Sequence, residues 1–402
     1  MWRLGFFFHE IAFGMLSVFI PLYVVTPIIG GSLVDIGIMT SLALLCSIPA
    51  SFFWGYICDK TRRYKVYILL SFISMAVLLF SLTFVTNVLV FTLLYVLMAV
   101  LHVAHEAPKN VLIAEHYTHE EWEKSYAFYE GLTEIGWFIG LLLGLVAFAS
   151  TLSFGILATY TLYLCGALNV VAFALSVFLV ADPLMIFERR LVGMERKLDY
   201  TFRGLEASSR MMDGLPSDGK FKKESFLSFG LGLVLFSLAS SLFYTPLPIF
   251  FSEPPLALPT SMIFVVYMLS SFGSIAGYFM VGRRAAFIDA KKQMRRVVLM
   301  RSLFVFLLVA VVQFAFFPTI LAGAILVFLG FAYALYYILM LSLSMELIPA
   351  GRSGLFDVLV GLGGAIGSFL GPFLAQVLGY LPLFAIAGAI FLVAYVVLKI
   401  LS

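Results

Sequence analysis

The segment HVAHEAPKN, residues 102–110, places four ionisable side chains inside a stretch that is otherwise apolar. His102, His105, Glu106 and Lys109 follow the i, i+3, i+4, i+7 spacing that puts side chains on one face of a helix. Imidazoles and carboxylates exchange protons, and a lysine supplies a positive charge. The segment therefore predicts either a proton-carrying site or a static ion-pair network. Pro108 is expected to kink the helix at the same place.

Three further glutamates are predicted to lie at a similar depth on neighbouring helices. Glu130 and Glu134 are four residues apart on the fifth apolar stretch, and Glu10 lies a turn or so into the first. Clustered carboxylates in a low dielectric cannot all remain ionised without a large cost. We therefore predict a proton-coupling patch with Glu134 or Glu106 as carrier, and with Glu130 held ionised by Lys109. Its members are Glu10, His102, His105, Glu106, Lys109, Glu130 and Glu134.

A metal site is the competing interpretation of the histidines. All of them lie in the first half of the chain, at His9, His102, His105, His116 and His119. Their order along the helices does not match that of a zinc hydrolase. We predict no resident metal, no cofactor and no enzymatic activity, while a divalent cation as transported solute stays open.

The surrounding composition is that of a membrane protein. Hydrophobic residues make up 62% of the 402 residues and charged residues only 12%. The apolar residues come in stretches of about 20, which is the length a helix needs to cross a bilayer, and backbone groups in lipid must be paired within helices or a closed barrel. We predict an all-α membrane protein of twelve transmembrane helices. Their bounds are about 5–26, 33–57, 66–85, 88–113, 125–149, 155–181, 226–251, 260–282, 297–317, 319–344, 354–378 and 380–400.

The positions of Lys and Arg predict the orientation. Most of the 25 basic residues lie in residues 59–65, 188–224 and 282–296, each of which follows an even-numbered span. By the positive-inside rule, both termini are cytosolic in a multi-pass protein of the cell membrane. The net charge of +3 reflects this topology, so we predict no nucleic-acid partner.

The chain also divides into two similar halves. A polar stretch at residues 182–225 separates six spans in 1–181 from six in 226–402, and we predict a cytosolic linker between two six-helix bundles. Gly136 and Gly140 follow Glu115 by 21 and 25 residues, and Gly367 and Gly371 follow Glu346 by the same separations. A duplicated six-helix unit is typical of a rocking transporter whose substrate site lies between the halves.

The loop after the second span carries a specific resemblance. GYICDKTRRYK, residues 55–65, resembles the signature between the second and third helices of the major facilitator superfamily (MFS), with Arg62 where a glycine is usual. The resemblance implies the MFS fold of two pseudo-symmetric bundles. We expect Gly55 to permit close helix approach and Asp59 to meet the start of the eleventh span. Arg63 is expected to pair with Glu115, completing a cytosolic latch.

The second half is expected to hold no ionisable residue deep in its spans. Hydroxyl and aromatic groups predict a substrate cavity suited to a neutral or partly apolar solute, formed by Tyr244, Tyr267, Tyr333 and Tyr337. We therefore predict a monomeric, proton-coupled secondary transporter, with a small-molecule solute, protons and the lipid bilayer as partners. Two alternatives stay open: an ion-independent facilitator whose acidic patch is structural, and a proton-driven exporter of lipophilic cations.

Overall fold

The computed structural model describes residues 2–116, 122–182, 226–283, 290–347 and 354–400. Within these ranges all regular elements are helices, and twelve of the spans are long and apolar enough to cross a membrane. The prediction of an all-α membrane protein with twelve spans is confirmed. The predicted linker at residues 182–225 falls outside the described residues apart from Asp182, and so does His119.

The helices of the first six spans are Arg3–Val24, Leu33–Thr61, Tyr64–Leu82, Val88–His102 with Glu106–His116, Trp122–Phe148 and Phe154–Leu179. Those of the last six spans are Phe226–Tyr244 with Leu247–Ser252, Thr260–Arg283, Ala290–Phe314, Pro318–Leu347, Gly354–Leu378 and Tyr380–Ile400.

Short polar residues start the second and fourth spans. Ser32 and Asp35 form a reciprocal capping box, in which each side chain accepts the other residue's backbone N–H. The side chain of Asn87 accepts the N–H groups of Leu89 and Val90. These caps satisfy N–H groups that have no partner within the helix, and so fix where each apolar helix begins.

Packing between the spans repeats from one set of six to the other. The first span packs on the fifth and sixth, the third on the fourth and sixth, and the second on the fourth. The seventh span packs in the same way on the eleventh and twelfth, the ninth on the tenth and twelfth, and the eighth on the tenth. Between the two sets, the fifth span lies against the eighth and the second against the eleventh. The division at residues 182–225 stays a prediction.

Glycines produce the closest of these contacts. A methyl group built on Gly136 would lie 2.8 Å from the carbonyl oxygen of Phe7, and one on Gly140 would collide with the carbonyl of Ile11. In the eleventh span, Gly367 and Gly371 meet the carbonyls of the seventh span in the same manner. The repeated glycine spacing in the sequence therefore marks backbone-to-backbone packing against the first span of each set.

The fourth and seventh spans are interrupted inside the membrane. A 3-10 turn at Val103–His105 separates the two helices of the fourth span, just before Pro108, whose ring nitrogen cannot donate a helical hydrogen bond. The seventh span breaks after Tyr244, next to Pro246. A proline stands beside each break, and neighbouring groups can pair the backbone atoms that it frees.

Candidate functional site

Two histidines of the fourth span meet His9 of the first span in the core of the first six spans. His9 and His105 are fully buried. His9 Nε2 lies 3.1 Å from Nδ1 of His102, and the rings of His102 and His105 are 4.6 Å apart. These residues therefore form a buried imidazole cluster rather than one face of a solvated helix.

Asn169 on the sixth span fixes the proton positions in this cluster. Its Nδ2 donates to the carbonyl of Cys165 at 2.8 Å, so its Oδ1 faces His9 and accepts the Nδ1–H at 2.6 Å. A neutral His9 then has its lone pair on Nε2, which accepts the Nδ1–H of His102. Sequence reasoning missed Asn169, although a lone amide within an apolar helix is a recognisable signal.

His105 has two complete hydrogen-bonding arrangements. Its Nδ1 lies 3.0 Å from Ser71 Oγ on the third span, and its Nε2 lies 3.2 Å from Glu106 Oε1. In the neutral ring, Ser71 donates to Nδ1 and Nε2–H donates to Glu106. In the charged ring both nitrogens donate, and the Ser71 hydroxyl turns to the backbone carbonyl of His102, 3.1 Å away. His105 can therefore take up or release a proton without losing a hydrogen bond.

Lys109 forms an ion pair with Glu106 at 2.5 Å and is only 12% exposed. The partner in this ion pair lies one turn away on the same helix, whereas Lys109 was expected to hold Glu130 ionised, and that expectation stays a prediction. The charge of Glu130 still acts on Lys109 at longer range. The ammonium also lies 5.7 Å from the ring centre of Tyr129 on the fifth span.

Glu10 lies against the fifth span and faces the rest of the patch. A methyl group built on Gly136 would lie 3.3 Å from the Cβ of Glu10. Because Gly136 has no side chain, the first and fifth spans can pack this closely. The charges that act on Glu10 are those of Lys109, Glu130, Glu106 and Glu134. Glu10, Glu106, Lys109, Glu130 and Glu134 are therefore close enough for their charges to interact.

Glu134 connects this space to the second set of spans. Its Oε1 accepts a hydrogen bond of 2.6 Å from the hydroxyl of Ser271, which is buried on the eighth span. A hydrogen bond to an ionised group is stronger than one between neutral groups. Glu134 is therefore bonded directly across the contact between the fifth and eighth spans.

Two of the predicted cavity tyrosines face the same acidic residues. Tyr333 and Tyr337 on the tenth span have their ring centres 6.2 Å apart. The charge of Glu130 acts on both, and that of Glu134 also acts on Tyr333. Tyr244 and Tyr267 lie within electrostatic reach of each other. The tyrosines of the tenth span therefore form the wall opposite the acidic patch.

The expectation of no ionisable residue deep in the second half is wrong. Arg301 lies near the middle of the helix Ala290–Phe314 and is 0% exposed. Sequence reasoning began this span at residue 297, which put Arg301 about one turn from the surface. Arg301 nevertheless packs against Tyr333, which lies near the middle of the helix Pro318–Leu347. The signal was an arginine inside the apolar run VVLMRSLFVFLL.

Aromatic rings surround the guanidinium group of Arg301. Its Cζ lies 5.0 Å from the ring centre of Phe236, 5.4 Å from Tyr244, 5.3 Å from Tyr333 and 5.2 Å from Phe391. Cation–π contacts contribute about 0.5–2 kcal/mol each. Withdrawing a charged group from water costs an idealised figure of the order of 20 kcal/mol, and several kcal/mol after relaxation. The rings alone leave much of this cost uncompensated.

The arginine and the histidine cluster occupy equivalent places in the two sets of spans. The histidine cluster lies between the first, third, fourth and sixth spans, and Arg301 lies between the seventh, ninth, tenth and twelfth. Tyr333 precedes Glu346 by the same 13 residues by which His102 precedes Glu115. Both sets of six spans therefore bury polar groups at the same level of the repeat.

The predicted latch lies partly outside the described residues. Asp59 and Arg63 are exposed at the junction of the second and third spans, whereas the side chain of Glu115 and residues 348–353 are not described. Nothing described lies within 4 Å of a methyl group built on Gly55, so close packing there is not found among the described residues and stays a prediction. The neighbouring Phe53 and Tyr56 are 55% and 65% exposed, so none of the described helices covers these two side chains.

Arg62 explains why this loop favours a glycine. It ends the second span with φ 56° and ψ 25°, in the left-handed region. A residue without a Cβ adopts this conformation more readily. The departure from the family signature at Arg62 therefore places a side chain in a strained turn.

The histidine cluster also has a spacing that could hold a metal ion. One ring nitrogen from each of His9, His102 and His105 lies within 4.8 Å of the others. The prediction of no metal considered the order of residues along single helices, whereas these nitrogens come from two spans. The hydrogen bonds described above already use them, which favours proton exchange. The absence of a resident metal stays a prediction.

Comparisons with known proteins agree with this architecture. A family model described as Major Facilitator Superfamily matches residues 4–356. The crystal structure of the nucleoside transporter NupG has a TM-score of 0.70 at 14% identity, covering 100% of this chain and 98% of that one. A partially occluded inward-open structure of the xylose transporter XylE from E. coli has a TM-score of 0.67 at 14% identity, covering 98% and 97%. No curated protein matches in sequence.

Proposed function

The chain belongs to the Major Facilitator Superfamily, and from this premise we propose that it is a secondary active transporter that moves a small solute by alternating access and couples the movement to protons. We place it in the cell membrane as a monomer with both termini in the cytosol. The similar structures are transporters of a nucleoside and of xylose, which supports a small solute. At 14% identity the likeness concerns the fold, and those particular solutes do not extend to this chain.

The hydrogen bond from Ser271 to Glu134 is the observation that carries the proposal. It joins an ionisable group in the first set of spans to a neutral donor in the second. In a rocking transporter the two sets move relative to each other, so this bond forms in one state and breaks in another. Protonation changes what Glu134 can accept, and therefore changes the balance between the states.

The pairing of the four glutamates argues against a purely structural network. Glu106 binds Lys109, and Glu134 binds Ser271. Within the described residues, Glu10 and Glu130 form neither an ion pair nor a side-chain hydrogen bond. A permanently ionised carboxylate is costly in such a place, and groups of this kind in membrane spans mark proton pathways. The two arrangements open to His105 provide a further place for the proton.

The experiment is transport by purified protein in proteoliposomes that contain a pH-sensitive dye. A panel of nucleosides, pentoses and aromatic carboxylates is tested with and without a pH gradient. We expect at least one solute to accumulate against its gradient and to move protons with it. Glu134→Gln is expected to retain solute exchange and to lose accumulation. Glu253→Gln is the matched control. Like Glu134, Glu253 accepts a hydrogen bond from a hydroxyl group, that of Tyr380, but it is exposed.

Two results would contradict the proposal. Solute equilibration that is unaffected by the gradient and moves no protons would favour the facilitator. Full accumulation in both Glu106→Gln and Glu134→Gln would show that neither residue is the essential carrier, and that the acidic patch is structural.

A further inference from the structure

We propose that Arg301 binds an anionic group of the transported solute, which makes the solute class a small organic anion with an aromatic or apolar body. This inference rests on the transport function proposed above and specifies its substrate class. It replaces the neutral solute expected from the sequence, which was based on the tyrosines alone.

The guanidinium group is buried with every donor unused. Its Nε, Nη1 and Nη2 atoms are inaccessible to solvent and have no hydrogen-bond partner within the described part of the chain. None of the described carboxylates lies within ion-pair distance of it. A buried charge normally has a counter-charge and hydrogen bonds. Arg301 has neither, so the missing partner is a ligand that this conformation does not contain.

The unused donors match the shape of a planar oxyanion. A guanidinium group presents parallel N–H donors that bind both oxygens of a carboxylate, or two of a phosphate. Two more buried hydroxyls without a partner come from the flanking helices, Tyr336 on the tenth span and Ser240 on the seventh. Ser240 lies one turn from Phe236 and from Tyr244, and so shares the helix face that meets Arg301.

The walls of this pocket determine the rest of the ligand. Phe236, Tyr244, Tyr333 and Phe391 present ring faces to Arg301, and none of them carries a charge. An anion that enters between these rings gains most if its body is itself aromatic or apolar. A highly hydrated inorganic anion would leave the rings without apolar partners.

Tyr333 controls the access of the solute to Arg301. It is 38% exposed, whereas Arg301 behind it is fully buried. Tyr333 is in contact with Arg301, and the charges of Glu130 and Glu134 also act on it, so this ring is within electrostatic reach of both the arginine and the acidic patch. Rotation of Tyr333 would open Arg301 to the space between the two sets of spans. The solute anion and the proton carrier would then face each other.

The test is equilibrium binding in detergent without a pH gradient, so it does not depend on proton coupling. The probe is benzoate, compared with benzamide and benzylamine, which have the same ring and a neutral or positive group. Acetate and inorganic phosphate complete the panel, and binding is followed by titration calorimetry and by the rise in unfolding temperature. We expect benzoate to bind best, benzamide and benzylamine to fail, and Arg301→Gln to weaken benzoate binding at least tenfold.

Two further variants separate binding from folding. Arg301→Lys keeps the charge and loses the paired donors, and is expected to lie between wild type and Arg301→Gln. Arg296→Gln removes an exposed arginine from the same helix and is expected to bind benzoate normally. Removing an uncompensated buried charge should leave the unfolding temperature of the ligand-free protein unchanged or higher.

The proposal is overturned if no anion in the panel binds to the wild type, if benzamide binds as well as benzoate, or if benzoate binds equally to Arg301→Gln. Each of these results would make Arg301 a cation held permanently by its ring cage. Failure of proton-driven accumulation with intact benzoate binding would instead count against the coupling mechanism alone.

Discussion

Glu134 on the fifth span accepts a 2.6 Å hydrogen bond from Ser271 on the eighth span, and this bond crosses between the two sets of six spans. Ser271 is buried and Glu134 is half-buried, so water competes for the bond less than at an exposed site. The bond therefore contributes to holding the described conformation, and its loss has a measurable consequence.

Ser271→Ala is expected to shift the protein away from this conformation. A hydrogen bond to a charged group contributes about 1.5–3 kcal/mol, which corresponds to a population change of roughly tenfold or more. Electron-resonance distances between spin labels on the two sets of spans would report the shift. Ser274→Ala is the control, since Ser274 bonds to Gly330 within the second set. Equal distance distributions in Ser271→Ala and wild type would contradict the expectation.

Asn169→Leu is expected to impair both stability and proton-driven transport. The Nδ1–H of His9 loses its acceptor, and an unsatisfied buried donor costs about 1–3 kcal/mol. The tautomer of His9 is then no longer fixed, so the hydrogen bond to His102 is disrupted. Thr161→Val on the same span is the control, because it removes a buried hydroxyl that already lacks a partner. Unfolding temperature and accumulation in proteoliposomes are the measurements.

Gly140→Ala is expected to destabilise the protein by about 1–3 kcal/mol, the usual cost of overpacking. The added methyl group would collide with the backbone carbonyl of Ile11, which cannot rotate away. Gly55→Ala adds the same methyl group where nothing described is within 4 Å. Thermal unfolding of the two variants should therefore differ clearly, and equal loss in both would argue against the described packing.

Arg62→Gly is expected to leave stability unchanged or to raise it by up to about 1 kcal/mol. Glycine relieves the left-handed strain at this position, while its greater freedom in the unfolded chain offsets part of the gain. Thermal unfolding in detergent measures the change. A clear loss of stability would mean that the Arg62 side chain makes a contact that outweighs the strain.

The latch predicted from the sequence has its own test. Asp59→Asn and Arg63→Ala are each expected to fold normally and to favour opening on the cytosolic side. Spin labels at the cytosolic ends of the two sets of spans would report longer distances. Arg296→Gln, which removes an exposed charge elsewhere on the predicted cytosolic side, is the control. Unchanged distances in both latch variants would remove this interpretation.

Patterns of local sequence predicted the fold well, because the length and apolarity of a membrane helix are local properties. The spacing of Gly136 and Gly140 likewise identified true contacts, since the repeat shows the same pattern twice. Partner choice was harder to predict. Lys109 forms its ion pair with Glu106, three residues before it on the same helix, a pair that the i, i+3 spacing permitted and that we did not rank above Glu130.

The site residues that the sequence did not predict are polar groups whose role depends on their partners. Ser71, Asn169 and Ser271 are ordinary helix-packing residues in isolation, and only the tertiary arrangement gives each an ionisable partner. Arg301 was missed for a different reason. Arg301 lies only five residues after Arg296, at the end of the charged segment AKKQMRR, so its position along the chain suggested the surface, and only its packing against neighbouring helices shows that it is buried.

The glycine contacts between the first and fifth spans have a mechanical consequence. Backbones in contact at Gly136 and Gly140 cannot slide or tilt independently. The first and fifth spans therefore form one rigid unit that contains both Glu10 and Glu134. The eighth span, which carries Ser271, belongs to the other set of six spans. If the two sets of spans rock as proposed, the distance between Glu10 and Glu134 would stay fixed while Ser271 moves away from Glu134. The presence or loss of the Ser271 hydroxyl at Glu134 would then make the proton affinity of that carboxylate depend on the conformation of the protein.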